Sequence, residues 1–226
     1  MNAYNPSNES IPQGEPNLST RFDFGLYAVL TNPAAGWEAC AAAAVERGVR
    51  YLQLRMKDAP RGEALSTARR IKRITDGTST LFIVNDDAEL ALEAGADGAH
   101  FGQEDLPPDF VRSAFAELKV IGISTHNAAQ ARAAAALRPD YIGVGPVFAT
   151  PTKKNHAPAL GIEETARIIK ASSVPALAIG GIRLANIAAL AAAGIRNMAV
   201  VSEICGSPAP RAAIVSLQAA IAAKLC

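Results

Sequence analysis

The chain has 226 residues, 50% of them apolar, and its 22 Lys and Arg against 21 Asp and Glu leave a formal net charge of +1. That length suits one large core and lies close to the roughly 250 residues usual for an eightfold β/α barrel, whereas two smaller domains would use it less economically. A balance so near zero excludes a broad positive field that would gather nucleic acid or acidic membrane, so any affinity for phosphate must be local.

Residues 1–20 are rich in Asn, Ser and Pro and nearly free of large apolar side chains. They are expected to form a disordered tail ahead of a single domain over residues 21–226, because they cannot bury enough surface to order themselves. The tail has neither the basic start nor the apolar stretch of a secretory signal, and the chain has no apolar run long enough to cross a bilayer. Cys40, Cys205 and Cys226 are odd in number, far apart and outside any CxxC spacing. They argue against disulfides or structural zinc and for a reducing, cytoplasmic setting.

From Phe24 onward short apolar runs alternate with Ala-rich amphipathic stretches. Eight strands are predicted, at Gly25–Leu30, Tyr51–Arg55, Leu81–Val84, Gly98–Phe101, Val120–Ser124, Tyr141–Val144, Ala176–Ile179 and Met198–Val201. Helices are predicted at Trp37–Arg47, Arg61–Thr75, Asp87–Ala94, Asn127–Leu137, Ile162–Ala171, Leu184–Ala193 and Arg211–Leu225 from their Ala, Leu, Glu and Arg content. Gly95 and Gly194 stand where a helix ends before the next strand. Strict alternation implies parallel strands with right-handed crossovers, and eight units in this length favour an α/β fold closed as a single (β/α)8 barrel. An open doubly wound sheet is the structural alternative. Its dinucleotide version wants GxGxxG after the first strand, where this chain has Thr31-Asn32-Pro33-Ala34.

In such a barrel the working residues follow the strand ends. The second strand runs into Gln53-Leu54-Arg55-Met56-Lys57-Asp58, and period-two alternation sends Gln53, Arg55 and Lys57 to one face. The third runs into Asn85-Asp86-Asp87 and the fourth into Gly102-Gln103-Glu104-Asp105, a supply of carboxylates that suits Mg²⁺ shared with substrate phosphates. Asp87 has a simpler explanation, as the cap of the next helix. The long segment after strand six carries Thr150, Pro151, Thr152, Lys153 and Lys154, in the manner of a binding loop or of a solvated basic turn. Gly180-Gly181 after strand seven and Ser202 after strand eight occupy the usual phosphate position of barrels. His100, His126 and His156 have no metal-ligand spacing, GxSxG is absent, and each histidine reads as an ordinary hydrogen-bonding residue.

Taken in order, QLRMK, NDD, GQED, GIS, GPVFATPTKK, IGGI and VVS resemble the thiamine phosphate synthase family over nearly the whole chain after Phe24. The resemblance implies a cytoplasmic transferase of thiamine biosynthesis. It would condense 4-amino-2-methyl-5-hydroxymethylpyrimidine diphosphate with a thiazole phosphate or its carboxylated form, releasing diphosphate and, from the latter, CO₂. It implies that Gln53, Leu54, Arg55, Met56, Lys57 and Asn85 hold the pyrimidine diphosphate, with Mg²⁺ on Asp86 and Asp105. Ser124 would contact the pyrimidine and Lys153 the departing diphosphate, while Thr150, Pro151, Thr152, Gly181, Val201 and Ser202 would take the thiazole phosphate. Arg55, Lys57, Ser124 and Lys153 are thereby the expected catalytic group. Met56 stands where the family more often has Glu, on the side expected to face away from the mouth. A diphosphate neutralised by cations can leave before the thiazole nitrogen attacks, so no protein nucleophile is required. The rival readings are a thiazole tautomerase on the same fold and a non-catalytic barrel that binds thiazole or thiamine phosphate. The Ala-rich helix faces suit a monomer or a homodimer.

Overall fold

The computed structural model describes residues 22–150 and 157–223. The tail at 1–20 and the predicted end of the last helix beyond residue 223 therefore lie outside the described residues. In chain order the elements are β1 (Leu26–Leu30), α1 (Trp37–Glu46), β2 (Tyr51–Leu54), α2 (Arg61–Thr75), β3 (Leu81–Asn85), α3 (Ala88–Ala94), β4 (Gly98–Phe101), α4 (Pro108–Ala114) and β5 (Val120–Thr125). They continue as α5 (Ala128–Ala136), β6 (Tyr141–Val144), α6 (Gly161–Ala171), β7 (Ala176–Ile179), α7 (Leu184–Ala192), β8 (Met198–Val200), α8 (Ser202–Cys205) and α9 (Pro210–Ala222). Neighbouring strands pair in parallel around the ring, and β8 closes it against β1 with Leu26 opposite Met198 and Tyr27 opposite Ala199.

Alternation along each strand divides the apolar residues between two cores. Outward-facing Leu52, Phe82, Val84, Ala99, Phe101 and Ile121 pack beneath the helices, where Ala41, Ala44, Ala68 and Ala91 allow close approach. Inward-facing Tyr27, Val29, Tyr51, Ile83, Val120, Tyr141, Leu177 and Ala199 fill the barrel. Phe24 closes its floor, with its ring 4.7 Å from that of Tyr51 and 5.1 Å from that of Tyr141. Each large side chain so buried contributes about 1.5–3 kcal/mol relative to exposure.

Two helices escaped the sequence pattern. α4 is seven residues long, without the Ala-rich period, and begins at Pro108, whose fixed φ suits a first helical turn. α8 has only four residues, too few for any periodicity to register. Asp87 accepts a hydrogen bond from Leu90 N at 2.8 Å and caps α3, which Gly95 ends at φ 71, so its capping role is the one realised. Among the described residues no helix is long and apolar enough to cross a membrane.

Candidate active site

The C-terminal ends of the strands surround a cleft of about 1010 Å³, its open part included. β2 delivers Gln53, Arg55 and Lys57 to it. The intervening residues are carried the other way: Leu54 is buried in the outer core and Met56 packs against it, so neither side chain reaches the cleft. The cause is the pleat itself, and Met56 faces away from the mouth as expected.

β3 brings Asn85 and Asp86 to the mouth. Asp86 adopts φ 65, a region that non-glycine residues seldom enter, while its N–H donates to the His100 carbonyl of β4 at 2.8 Å. Lys57 Nζ forms an ion pair with Asp86 Oδ2, which has no directed hydrogen bond among the described residues. Burial pushes the Asp86 carboxyl up from its usual range; Lys57 pulls it back, and the neighbouring Asp105 carboxylate pushes it further up. Asp105 Oδ2 in turn accepts from Gly102 N at 2.6 Å. Two facing carboxylates, one of them half-buried and paired with Lys57, suit a hard cation. Among the described residues no group of three or more His, Cys, Asp or Glu could hold a metal, and one or two carboxylates hold Mg²⁺ only where substrate and water complete its shell.

β5 contributes Ser124, whose Oγ is 2.9 Å from His100 Nε2. His100 is buried, and its Nδ1 lies 2.9 Å from the Tyr141 hydroxyl; Tyr141 meets Tyr27 at 2.9 Å, and Gln53 Nε2 donates to Tyr27 at 2.8 Å. His126, also at the cleft, has Nδ1 2.6 Å from the Gly145 carbonyl. Both histidines form the hydrogen bonds expected of them, and both stand at the cleft, His126 just past the end of β5 and His100 within β4. The available signal for His100 was its strand phase, since the residue shares the inward parity of Gly98.

After β6 the described chain reaches the cleft at Thr150 and stops; Pro151, Thr152 and Lys153 lie outside the described residues. Opposite, Gly180 and Gly181 have φ 98 and 68, and a Cβ at Gly181 would stand 2.7 Å from Phe148 Cβ and 2.9 Å from the Ala149 carbonyl oxygen. Only glycine fits so close a backbone approach. Asn186 anchors this turn by donating from Nδ2 to the Gly181 carbonyl at 3.0 Å. Val201 and Ser202 complete the wall, with Ser202 opening α8.

Residues 26–204 match a family model described as thiamine monophosphate synthase. Thiamine-phosphate synthase of Pelotomaculum thermopropionicum is 42% identical over 180 residues, covering 80% of this chain and 83% of its own length. The corresponding protein of Anaeromyxobacter dehalogenans is 41% identical over 201 residues, covering 88% of each chain. A solved structure of thiamine phosphate pyrophosphorylase from Pyrococcus furiosus superposes with a TM-score of 0.80 at 29% identity, covering 89% of this chain and 97% of that one.

Proposed function

The chain belongs to the thiamine monophosphate synthase family and is a transferase, and from that premise we infer that its cleft joins an aminopyrimidine methyl diphosphate to a thiazole phosphate, or to the carboxylated form with loss of CO₂. The observation that carries this reading is the convergence of two cations, Arg55 and Lys57, with two carboxylates, Asp86 and Asp105, on one cleft faced by the Gly180-Gly181 turn. Cations and metal-binding carboxylates on one side suit a diphosphate, and a glycine turn before a helix start suits a monophosphate on the other.

In this reading Arg55 and Lys57 bind the diphosphate oxygens and lower the charge that accumulates as the methylene C–O bond breaks. Lys153 follows the departing diphosphate. Gln53, Asn85 and Ser124 hold the pyrimidine, with Ser124 donating to a ring nitrogen. Thr150, Thr152, Val201, Ser202 and the Gly181 N–H hold the thiazole phosphate, placing its ring nitrogen against the exposed methylene carbon. Mg²⁺ on Asp86 and Asp105, when bound, supplies a further positive charge to the diphosphate. The pyrimidine's own amino group stabilises the methylene cation, so this reading assigns no side chain the role of nucleophile. The setting proposed is the cytoplasm.

The test is diphosphate release by the purified protein given both substrates and Mg²⁺, with Asp105→Ala and a chelator as controls. Release that requires both substrates, yields thiamine phosphate and collapses in both controls is the expected result. Well-folded protein that releases nothing would overturn the synthase reading.

A further inference from the structure

Five polar side chains cross the barrel interior in single file: Gln53, Tyr27, Tyr141, His100 and Ser124. Gln53, Tyr27, Tyr141 and His100 are buried, and Gln53, His100 and Ser124 line the cleft. A hydroxyl carries one proton and two acceptor lone pairs, and a buried phenol with two partners satisfies its proton only by donating to one while accepting from the other, so the direction at one end of the file fixes the direction at the far end. With Gln53 Nε2 donating, Tyr27 donates to Tyr141 and Tyr141 to His100 Nδ1. Nδ1 is then an acceptor and Nε2 carries the proton, which it directs at Ser124 Oγ 2.9 Å away. Ser124 keeps its own proton for the cleft. Gln53 Oε1 meets no donor among the described residues and is the acceptor that remains.

We propose that Tyr27, Tyr141 and His100 are positioning residues whose hydrogen-bond file sets the polarity of Gln53 and Ser124 together, selecting an amino-substituted nitrogen heterocycle over its oxo counterpart. The inference rests on the aminopyrimidine reading above. An aminopyrimidine edge offers an amino donor to Gln53 Oε1 and a ring-nitrogen acceptor to the Ser124 hydroxyl. The oxo ring offers a carbonyl and a ring N–H, which meet an acceptor and a donor in the wrong order. Reversal requires turning the Gln53 amide, moving the imidazole proton to Nδ1 and rotating every hydroxyl in concert, because partial reversal sets donor against donor in a buried place. Burial pushes both phenols up from their usual range, so the protons the file needs are retained. Two glycines make room for it. A Cβ at Gly122 would stand 2.5 Å from both His100 Nδ1 and the Tyr141 hydroxyl, and at Gly143 a Cβ would fill space 3.6 Å from His100 Cε1 at the cleft floor.

The experiment compares KM and kcat for the aminopyrimidine diphosphate with Ki for its 4-oxo analogue in wild type, Tyr141→Phe and Tyr27→Phe. Imidazole ¹⁵N shifts of wild-type His100 are measured in parallel. The analogue should bind roughly 100-fold more weakly than the substrate in wild type. Tyr141→Phe, which cuts the file at its centre, should narrow that ratio by roughly tenfold, and Tyr27→Phe should move it the same way. A merely structural role would lower Tm and leave the ratio alone, and an unchanged ratio in folded variants overturns the proposal. If neither variant folds, a wild-type proton on Nε2 supports the file and a proton on Nδ1 overturns it. Wild type that does not turn over the aminopyrimidine diphosphate would defeat the functional reading instead, leaving the ¹⁵N result to judge the polarity of the file.

Discussion

Gly122→Ala should damage the barrel from within. A Cβ built there lies 2.2 Å from Tyr141 Cζ, so the ring must retreat by about 1.3–1.8 Å to regain ordinary contact. It has little space to do so, since the rings of Phe24, Tyr27 and Tyr51 stand 5.1, 5.9 and 6.3 Å from it. Overpacking of this kind costs about 1–3 kcal/mol. Parting Tyr141 from His100 leaves buried polar atoms unmatched for about 1–3 kcal/mol more. The sum, centred near 4 kcal/mol, corresponds to a fall in Tm of roughly 8–16 °C for a domain of this size. The assay is thermal melting followed by circular dichroism, with Gly143→Ala alongside. Its Cβ would stand 3.6 Å from His100 Cε1 and 3.7 Å from Ile179 Cγ2, ordinary contacts both, so its Tm should hold while KM for the pyrimidine diphosphate rises. Gly122→Ala melting within about 2 °C of wild type would refute the packing argument.

Alkaline pH should destabilise the protein through the same interior. The folded pKa values of Tyr27 and Tyr141 are raised, chiefly by burial, so the unfolded chain gives up these protons first. Their contribution is complete below about pH 10 and is lost as pH climbs from there towards the folded values; Tyr27→Phe should flatten the decline in urea-denaturation midpoints. Asp87→Ala removes a helix cap and should cost about 1 kcal/mol with kcat preserved, whereas a large loss of kcat in a folded variant would give Asp87 a part in the chemistry. Burial, aided by Cys205 nearby, pushes the Cys40 thiol up to about 11, and Cys205 is raised as well. In a Cys226→Ser variant, thiol reagents at neutral pH should therefore label these two only as fast as the barrel opens, which labelling rates with and without urea will measure.

The barrel was legible because each strand is a short apolar run and most helices are Ala-rich, so the change of period marks nearly every boundary within two residues. Arg55, Lys57, Asp86 and Asp105 were legible for a related reason, as charges placed directly after apolar runs. Leu54 and Met56 alternate with Arg55 and Lys57 in the same motif, and the pleat sends their side chains to the opposite side of the sheet. The file from Gln53 to Ser124 was not legible at all. Tyr27 and Tyr141 are 114 residues apart and meet only because strands on different sides of the ring point their inward side chains at one centre. Nothing local in either segment marks the partner. Gly122 is understood only afterwards, once the rings that occupy its missing side chain are known.

The β1–β8 pairing has a consequence for how this protein could be rebuilt. A closed ring has no first strand: every strand has two neighbours, and each wall of the cleft is hung from a different pair. Moving the chain break to a turn on the floor side would leave the set of strand neighbours unaltered, and with it the spacing between Arg55, Asp86, Ser124 and Gly181. Deleting a strand would instead bare two edges and widen that spacing everywhere at once. Order along the chain is thus dispensable to the chemistry, and closure is not.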